Sequence, residues 1–96
     1  VPAHPAVYQD LAIVLDDATP AIEVYNVIMR AGGDLLEEAR LFDVYHGDPI
    51  PAGKKSLAYA LTYRAPDRTL NDAEVAKIHA RIVKAVERQL GATLRA

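Results

Sequence analysis

Large apolar side chains alternate with smaller residues near the start of the chain. Within residues 8–15 they stand at every second position, at Leu11, Ile13 and Leu15. Because successive side chains of a strand point to opposite faces, this two-residue period predicts a strand with one face buried in a core.

A helix is predicted to follow this strand. Thr19 can supply a side-chain oxygen at the N-cap, and Pro20 has the fixed backbone angle that suits the first helical position. Large apolar residues then recur at helical spacing, at Ile22, Tyr25, Ile28 and Met29. Gly32 and Gly33 are expected to end the helix, since glycine readily adopts the positive φ of a C-terminal cap.

Two more strands are predicted over residues 36–45 and 56–64. The connection from His46 to Gly53 holds two Pro and two Gly, which interrupt a ladder and favour a loop.

A second helix is predicted to begin at Asn71, because Asn71 and Glu74 have the spacing of a capping box, and to end at Gly91. Its buried stripe is expected to consist of apolar residues at helical spacing: Val75, Ile78, Ile82, Val83, Val86 and Leu90.

A short strand over residues 92–95 would complete the order βαββαβ. That order is typical of the ferredoxin-like fold, an α+β architecture with a four-stranded antiparallel sheet and two helices on one face. The residues expected beneath the helices are Leu11, Ile13, Leu15, Phe42, Val44, Leu57, Tyr59, Leu61, Tyr63 and Leu94. The residues expected on the opposite, outward face are Asp10, Ala12, Val14, Asp43, Tyr45, Ser56, Ala58, Ala60 and Thr62.

Composition restricts the function classes. The 96 residues, 51% of them apolar, suffice for one core, so residues 1–96 are predicted to form a single domain. No apolar run has the length of a membrane span, and the first residues lack the pattern of a signal peptide. The absence of cysteine fits a reducing, cytoplasmic location. Because the chain starts at Val1 rather than Met, it is expected to be a processed product or an excised piece of a longer protein.

The net charge of −2 argues against extensive coating of nucleic acid, since non-specific affinity depends on many Lys and Arg contacts to phosphates. Any such binding is therefore expected to be local. Candidates for phosphate contacts cluster at the ends of the third strand: Lys54, Lys55, Arg64 and Arg68. Each of them can also be a solvated loop charge. A basic stripe on the second helix is interpreted as its solvent side: Lys77, Arg81, Lys84 and Arg88.

The outward face carries a combination that suits a purine. The carboxylate of Asp43 offers two acceptor oxygens to the paired donors of a guanine edge, and the ring of Tyr45 can stack the same base. Ser56 on the neighbouring strand can add a hydroxyl contact. From spacing alone, Asp43 can also be a solvated acid on an edge strand, and Tyr45 a half-buried strand aromatic.

Catalysis and metal binding are not expected. His4, His46 and His79 lack ligand spacing, and the chain has no nucleophile elbow, phosphate loop or paired His–Asp motif. The residues predict a small binding module without a cofactor of its own.

Four ordered motifs resemble a known family over nearly the whole chain. They are residues 10–12 with the strand that follows, residues 41–47 (Leu-Phe-Asp-Val-Tyr-His-Gly), residues 53–59 (Gly-Lys-Lys-Ser-Leu-Ala-Tyr) and residues 68–72 (Arg-Thr-Leu-Asn-Asp). The chain is thereby similar to the ferredoxin-fold anticodon-binding domain that ends the β subunit of bacterial phenylalanyl-tRNA synthetase.

This resemblance implies a non-catalytic domain that holds the anticodon loop of tRNA-Phe within an (αβ)₂ enzyme. It implies that the catalytic α subunit handles ATP, Mg²⁺ and phenylalanine. It also implies that Asp43, Tyr45 and Ser56 contact the guanine at the first anticodon position. The chain departs from the family pattern at Gln9, where Arg is common, and at Asn71, where Thr or Ser is usual.

Other functions remain open from the residues. The outward face can dock on protein, in which case the domain serves assembly. An acylphosphatase-like enzyme is disfavoured by Asp16 and Asp17, which stand where an anion loop would be needed. An RRM-type binder is disfavoured because Ala12, Ala58 and Ala60 occupy the central strands, where RRM sheets carry stacking aromatics.

Overall fold

The computed structural model describes residues 4–95, which form four strands and two helices in the order βαββαβ. The elements are β1 (Val7–Asp16), α1 (Ala21–Gly32), β2 (Leu36–Tyr45), β3 (Lys54–Tyr63), α2 (Asp72–Leu90) and β4 (Thr93–Leu94). The strands form one antiparallel sheet in the spatial order β2-β3-β1-β4. The predicted α+β, ferredoxin-like fold is confirmed. No helix among residues 4–95 is long and apolar enough to cross a membrane.

The core lies between the sheet and the two helices, which also pack against each other. From the strands it takes the predicted inward residues Leu11, Ile13, Leu15, Leu57, Tyr59, Leu61 and Tyr63, each at most 1% exposed. From the helices it takes Val24, Val27, Ile28, Val75, Ile78, Ile82 and Val86. Burial of one such aliphatic side chain contributes about 1.5–3 kcal/mol, so this layer is the main source of stability.

The second helix begins and ends as predicted. The Asn71 side chain accepts from the Glu74 N–H at 2.8 Å, and the Glu74 carboxylate accepts from the Asn71 N–H at 3.3 Å. Gly91 follows the last turn with φ 66°, the left-handed conformation that glycine adopts without strain.

The prediction for the start of α1 is wrong. Pro20, not Thr19, is the N-cap residue, and no side chain caps the helix. The Thr19 N–H instead donates to the Asp16 carbonyl at 3.1 Å, which holds Thr19 in the preceding turn. The predicted apolar repeat is also shifted: Ile22 and Tyr25 are 62% and 37% exposed, because the sheet covers the neighbouring stripe of the helix.

Three residues predicted beneath the helices are exposed: Phe42, Val44 and Leu94, at 49%, 48% and 47%. Val44 and Leu94 do lie opposite the buried residues Leu57 and Ile13, but on the two edge strands. For Phe42 the assigned face is wrong. Leu41 pairs with Tyr59 and Asp43 with Ala58, so Phe42 is the extra residue of a β-bulge.

Candidate nucleic-acid interface

The face of the sheet opposite the helices presents its residues in rows, because partners directly across an antiparallel ladder share a face. Four rows cross β2, β3 and β1 in that order: Glu38–Thr62–Tyr8, Arg40–Ala60–Asp10, Asp43–Ala58–Ala12 and Tyr45–Ser56–Val14. We call this surface the outer face. The small residues Ala58 and Ala12 in its middle add little bulk above the sheet.

Tyr45 stands at one end of the outer face with its ring half-exposed, at 41%. Its hydroxyl donates to the Asp48 carbonyl at 2.7 Å, so the ring is anchored to the loop that follows β2. The loop is held in turn by His46, whose Nε2 lies 2.9 Å from Asp17 Oδ1, and by the Asp17 N–H, which donates to the Gly53 carbonyl at 2.9 Å. A ring fixed in this way is a preorganised stacking surface.

Ser56 lies opposite Tyr45 on the outer face, as predicted, yet it is only 3% exposed. The cover is Arg95. Its Nη1 donates to Ser56 Oγ at 3.2 Å, and its guanidinium carbon lies 5.7 Å from the centroid of the Tyr45 ring. The Arg95 N–H donates to the Ala12 carbonyl at 2.8 Å, which fixes the backbone of Arg95 beside the outer face.

Sequence reasoning missed Arg95, although a signal for it was present. The tail was predicted as a strand, and in a strand next to β1 the residues Thr93 and Arg95 fall on one face. Thr93 pairs with the outer-face residue Val14. Tyr45, Ser56 and Arg95 thus form a compact group with an aromatic ring, a hydroxyl and a planar cation.

Asp43 occupies the next row, with Ala58 and Ala12 beyond it. Its carboxylate is exposed and shares the face of Tyr45, as predicted. The bulge at Phe42 is the cause, because strict alternation from the inward Leu41 would turn Asp43 and Tyr45 towards the helices. The structure therefore brings Asp43, Tyr45 and Ser56 together on one surface.

Of the four basic residues predicted to flank this group, Lys54 is the one whose register places it near the group on the same face. Lys54 pairs with Asp16, two residues along β3 from Ser56. Lys55 pairs with the inward residue Leu15 and therefore lies on the helix side of the sheet.

Arg64 and Arg68 lie away from the group. Arg64 follows the far end of β3, about 27 Å along the strand from Ser56. Its Nε is 3.1 Å from Glu37 Oε1, and its Nη1 donates to the His4 carbonyl at 2.8 Å. Arg68 precedes α2 and pairs with Asp67 and with Glu74 in the first turn of that helix. The hydrogen bond from Arg68 to Glu74 lowers the pKa of the Glu74 carboxyl.

The basic stripe of α2 lies on the helix side of the domain. One member, Arg81, has a structural role that the sequence did not reveal. Its Nε and Nη2 donate to the carbonyls of Ala31 and Gly32 at 2.6 and 3.2 Å, which satisfies the C-terminal end of α1.

A titratable pair between the sheet and α2 consists of the buried Tyr63 and the partly buried His79. The Tyr63 hydroxyl is 3.1 Å from His79 Nδ1. Burial raises the pKa of Tyr63 to about 12 and lowers the pKa of His79, because both charged forms lose solvation there. Among residues 4–95, no three His, Asp or Glu side chains converge as metal ligands.

Comparison with known proteins relates the whole chain to one family of domains. Residues 2–95 match the family model described as the ferredoxin-fold anticodon binding domain. The phenylalanine–tRNA ligase β subunit of Moorella thermoacetica is 56% identical over 95 residues, which are 99% of this chain and 12% of that subunit. The β subunit of Clostridium tetani is 50% identical over 95 residues, again 99% of this chain and 12% of the subunit. That of Corynebacterium jeikeium is 48% identical over 94 residues, or 98% of this chain and 11% of the subunit.

Proposed function

We propose that the outer face of this chain, which belongs to the family of ferredoxin-fold anticodon-binding domains, binds the anticodon loop of tRNA-Phe. The chain spans about 12% of the length of the curated relatives it matches, so we assign the binding step to it and aminoacylation to a longer assembly.

The observation that carries the proposal is that Asp43, Tyr45 and Ser56 share the outer face beside the small residues Ala58 and Ala12. Asp43 accepts from the two adjacent donors of the guanine pairing edge. Tyr45, held by its hydroxyl bond to the Asp48 carbonyl, stacks the base. The Ser56 hydroxyl becomes available when the Arg95 side chain shifts from it, and the guanidinium can then contact the base or its phosphate.

The remaining machinery lies outside this domain. In the proposed assembly the domain belongs to a β subunit that pairs with a catalytic α subunit in an (αβ)₂ heterotetramer of the cytoplasm. ATP and Mg²⁺ are handled by the α subunit. This chain contributes recognition and no chemical step.

The test uses anticodon stem-loops of tRNA-Phe that differ at the first anticodon base: guanine, inosine or adenine. Inosine lacks the exocyclic amine of guanine, so it removes one of the two bonds to Asp43 and leaves the stacking surface. A bidentate contact of this kind discriminates by about 1–3 kcal/mol, roughly 5- to 150-fold in Kd. We expect the preference for guanine over inosine to disappear in Asp43→Asn.

Two variants sharpen this test. Asp34→Asn makes the same acid-to-amide change in the turn before β2 and should keep the preference. Tyr45→Ala should weaken all three stem-loops about equally, because stacking tolerates any base. Equal affinity of the unaltered chain for the three stem-loops would contradict guanine readout. If the chain binds none of them, and its deletion dissociates the subunits of the parent ligase, the domain is an assembly module.

A further inference from the structure

The β-bulge in β2 leaves the aromatic ring of Phe42 on the same face as Arg40 and turns the following residue, Asp43, to that face as well. Phe42 has no partner on β3, and its side chain is 49% exposed. The guanidinium carbon of Arg40 lies 6.0 Å from the centroid of the Phe42 ring. Since Arg40 pairs with Ala60 on the outer face, the ring and the cation form a second planar surface on the RNA side of the sheet.

This second surface adjoins the candidate base site. Phe42 directly precedes Asp43 in the chain, and it lies three residues from Tyr45, about 10 Å along the strand. Neighbouring unstacked nucleotides of a splayed loop can span that separation. Asp43 stands between the two surfaces on β2, and its partner Ala58 on β3 carries only a methyl group, which leaves room for a sugar.

Arg40 supplies a cation for a nucleotide at this place, between the exposed acids Glu38 and Asp43 on the same face of β2. Within the part of the chain that the structure describes, Arg40 makes no ion pair, in contrast to Arg64 and Arg68. Its guanidinium therefore keeps its donors for a phosphate, while the Phe42 ring offers a stacking surface of the kind found in single-strand binding proteins.

We propose that Phe42 and Arg40 form a second stacking platform, which holds the nucleotide next to the base at Tyr45. Phe42 stacks that nucleotide's base, and Arg40 contacts its phosphate. The inference rests on the proposed function, since it needs an RNA loop on the outer face. It adds that at least two consecutive nucleotides are held there, the second by stacking rather than by reading of its edge.

The experiment is a double-mutant cycle between protein and RNA, with affinities of the 96-residue chain measured by titration at one fixed salt concentration. The RNAs are the guanine stem-loop and two versions with an abasic nucleotide immediately 5′ or 3′ of the first anticodon base. Phe42→Ala should weaken binding of the intact loop about tenfold. With one of the two abasic loops, the same substitution should change the affinity less than twofold.

Further variants separate a stacking role from a structural one. Phe42→Trp should retain the affinity, and Phe42→Leu, which keeps an apolar side chain without a π face, should behave like Phe42→Ala. Deletion of Phe42 removes the ring together with the bulge while Leu41 and Asp43 keep their β3 partners, and it should give the same loss. Val44→Ala, an exposed apolar residue on the helix side of β2, is the matched control and should bind normally.

Salt dependence tests the cation. Arg40→Gln should reduce the slope of log Kd against log salt concentration by about one, the contribution of a single phosphate contact. Arg88→Gln on α2 should leave this slope unchanged. Equal weakening of all three loops by Phe42→Ala, or no weakening, would overturn the platform. If neither Phe42→Ala nor Tyr45→Ala weakened binding, the proposed function itself would fail. If Tyr45→Ala weakened binding and Phe42→Ala did not, only the second platform would be refuted.

Discussion

Arg95 offers the sharpest check on the architecture of the site. Its side chain makes two contacts, the hydrogen bond to Ser56 Oγ at 3.2 Å and the stacking on Tyr45 at 5.7 Å. Arg95→Ala removes both, whereas the main-chain bond to the Ala12 carbonyl can persist. A hydrogen bond contributes about 0.5–1.5 kcal/mol net, and a cation–π contact at an exposed site about 0.5–1 kcal/mol.

Together these contacts predict a loss of about 1–2 kcal/mol in the free energy of unfolding. Thermal unfolding followed by circular dichroism should report a Tm lower by at least about 4 °C, since 1 kcal/mol shifts the Tm of a domain of this size by roughly 4–8 °C. Arg95→Lys should recover little, because an ammonium cannot stack as a plane and donate sideways at once. Arg88→Ala, the same substitution on an exposed part of α2, controls for net charge.

The contribution of the Ser56 contact follows from a double-mutant cycle. Ser56→Ala in the Arg95→Ala background should cost less than in the unaltered chain, because the hydroxyl has then already lost its donor. Strictly additive effects, or an Arg95→Ala Tm within 1 °C of the unaltered chain, would show that Arg95 does not cover Ser56 in solution. The group proposed for base recognition would then lack its cation.

Four further predictions concern the scaffold. Gly32→Ala should destabilise by about 1–3 kcal/mol in urea unfolding, because a Cβ there would lie 2.6 Å from Leu36 Cβ, and an increase in stability would contradict this expectation. Asn71→Ala should cost about 1 kcal/mol and Asn71→Asp much less, since aspartate can still cap α2; equal losses would argue against the cap. Stability should fall as pH rises from 10 towards 12, because folded Tyr63 has a pKa of about 12 and binds a proton that the unfolded chain releases. Tyr63→Phe should flatten that fall. At the acid side the lowered pKa of His79 makes stability fall below pH 6.5, and an NMR titration midpoint for His79 at or above 6.5 would contradict this.

Local signals in the sequence predicted most of the fold because their physical causes are themselves local. The capping box at Asn71 and Glu74 and the left-handed glycine at Gly91 need only a few neighbouring residues, and both were confirmed. Four residues of the predicted buried stripe of α2 are buried, namely Val75, Ile78, Ile82 and Val86, whereas Val83 and Leu90 are partly buried at its margin. In α1 the sequence is apolar on two adjoining stripes, so periodicity could not choose between Val24 and Tyr25, and packing against the sheet decided.

The site was harder to predict because it depends on contacts between distant parts of the chain. Asp43 and Tyr45 were assigned to the correct face, but with Phe42 wrongly assigned to the core, because a bulge leaves no mark in a two-residue period. The cover of Ser56 by Arg95 joins residues 39 positions apart. Arg64 is far from the group because it follows Ser56 by eight residues, which in an extended strand separate the two ends of the sheet.

The bulge at Phe42 also divides β2 into two parts with opposite phase. Before it, the side chains at odd-numbered positions 39 and 41 face the core; after it, those at odd-numbered positions 43 and 45 face the solvent. The two parts can therefore accept substitutions independently, since a change that suits a ligand does not have to satisfy the packing beneath the helices. One unpaired residue thus lets a single edge strand contribute to the wall of the core before Phe42 and carry a variable recognition surface on the three residues after it.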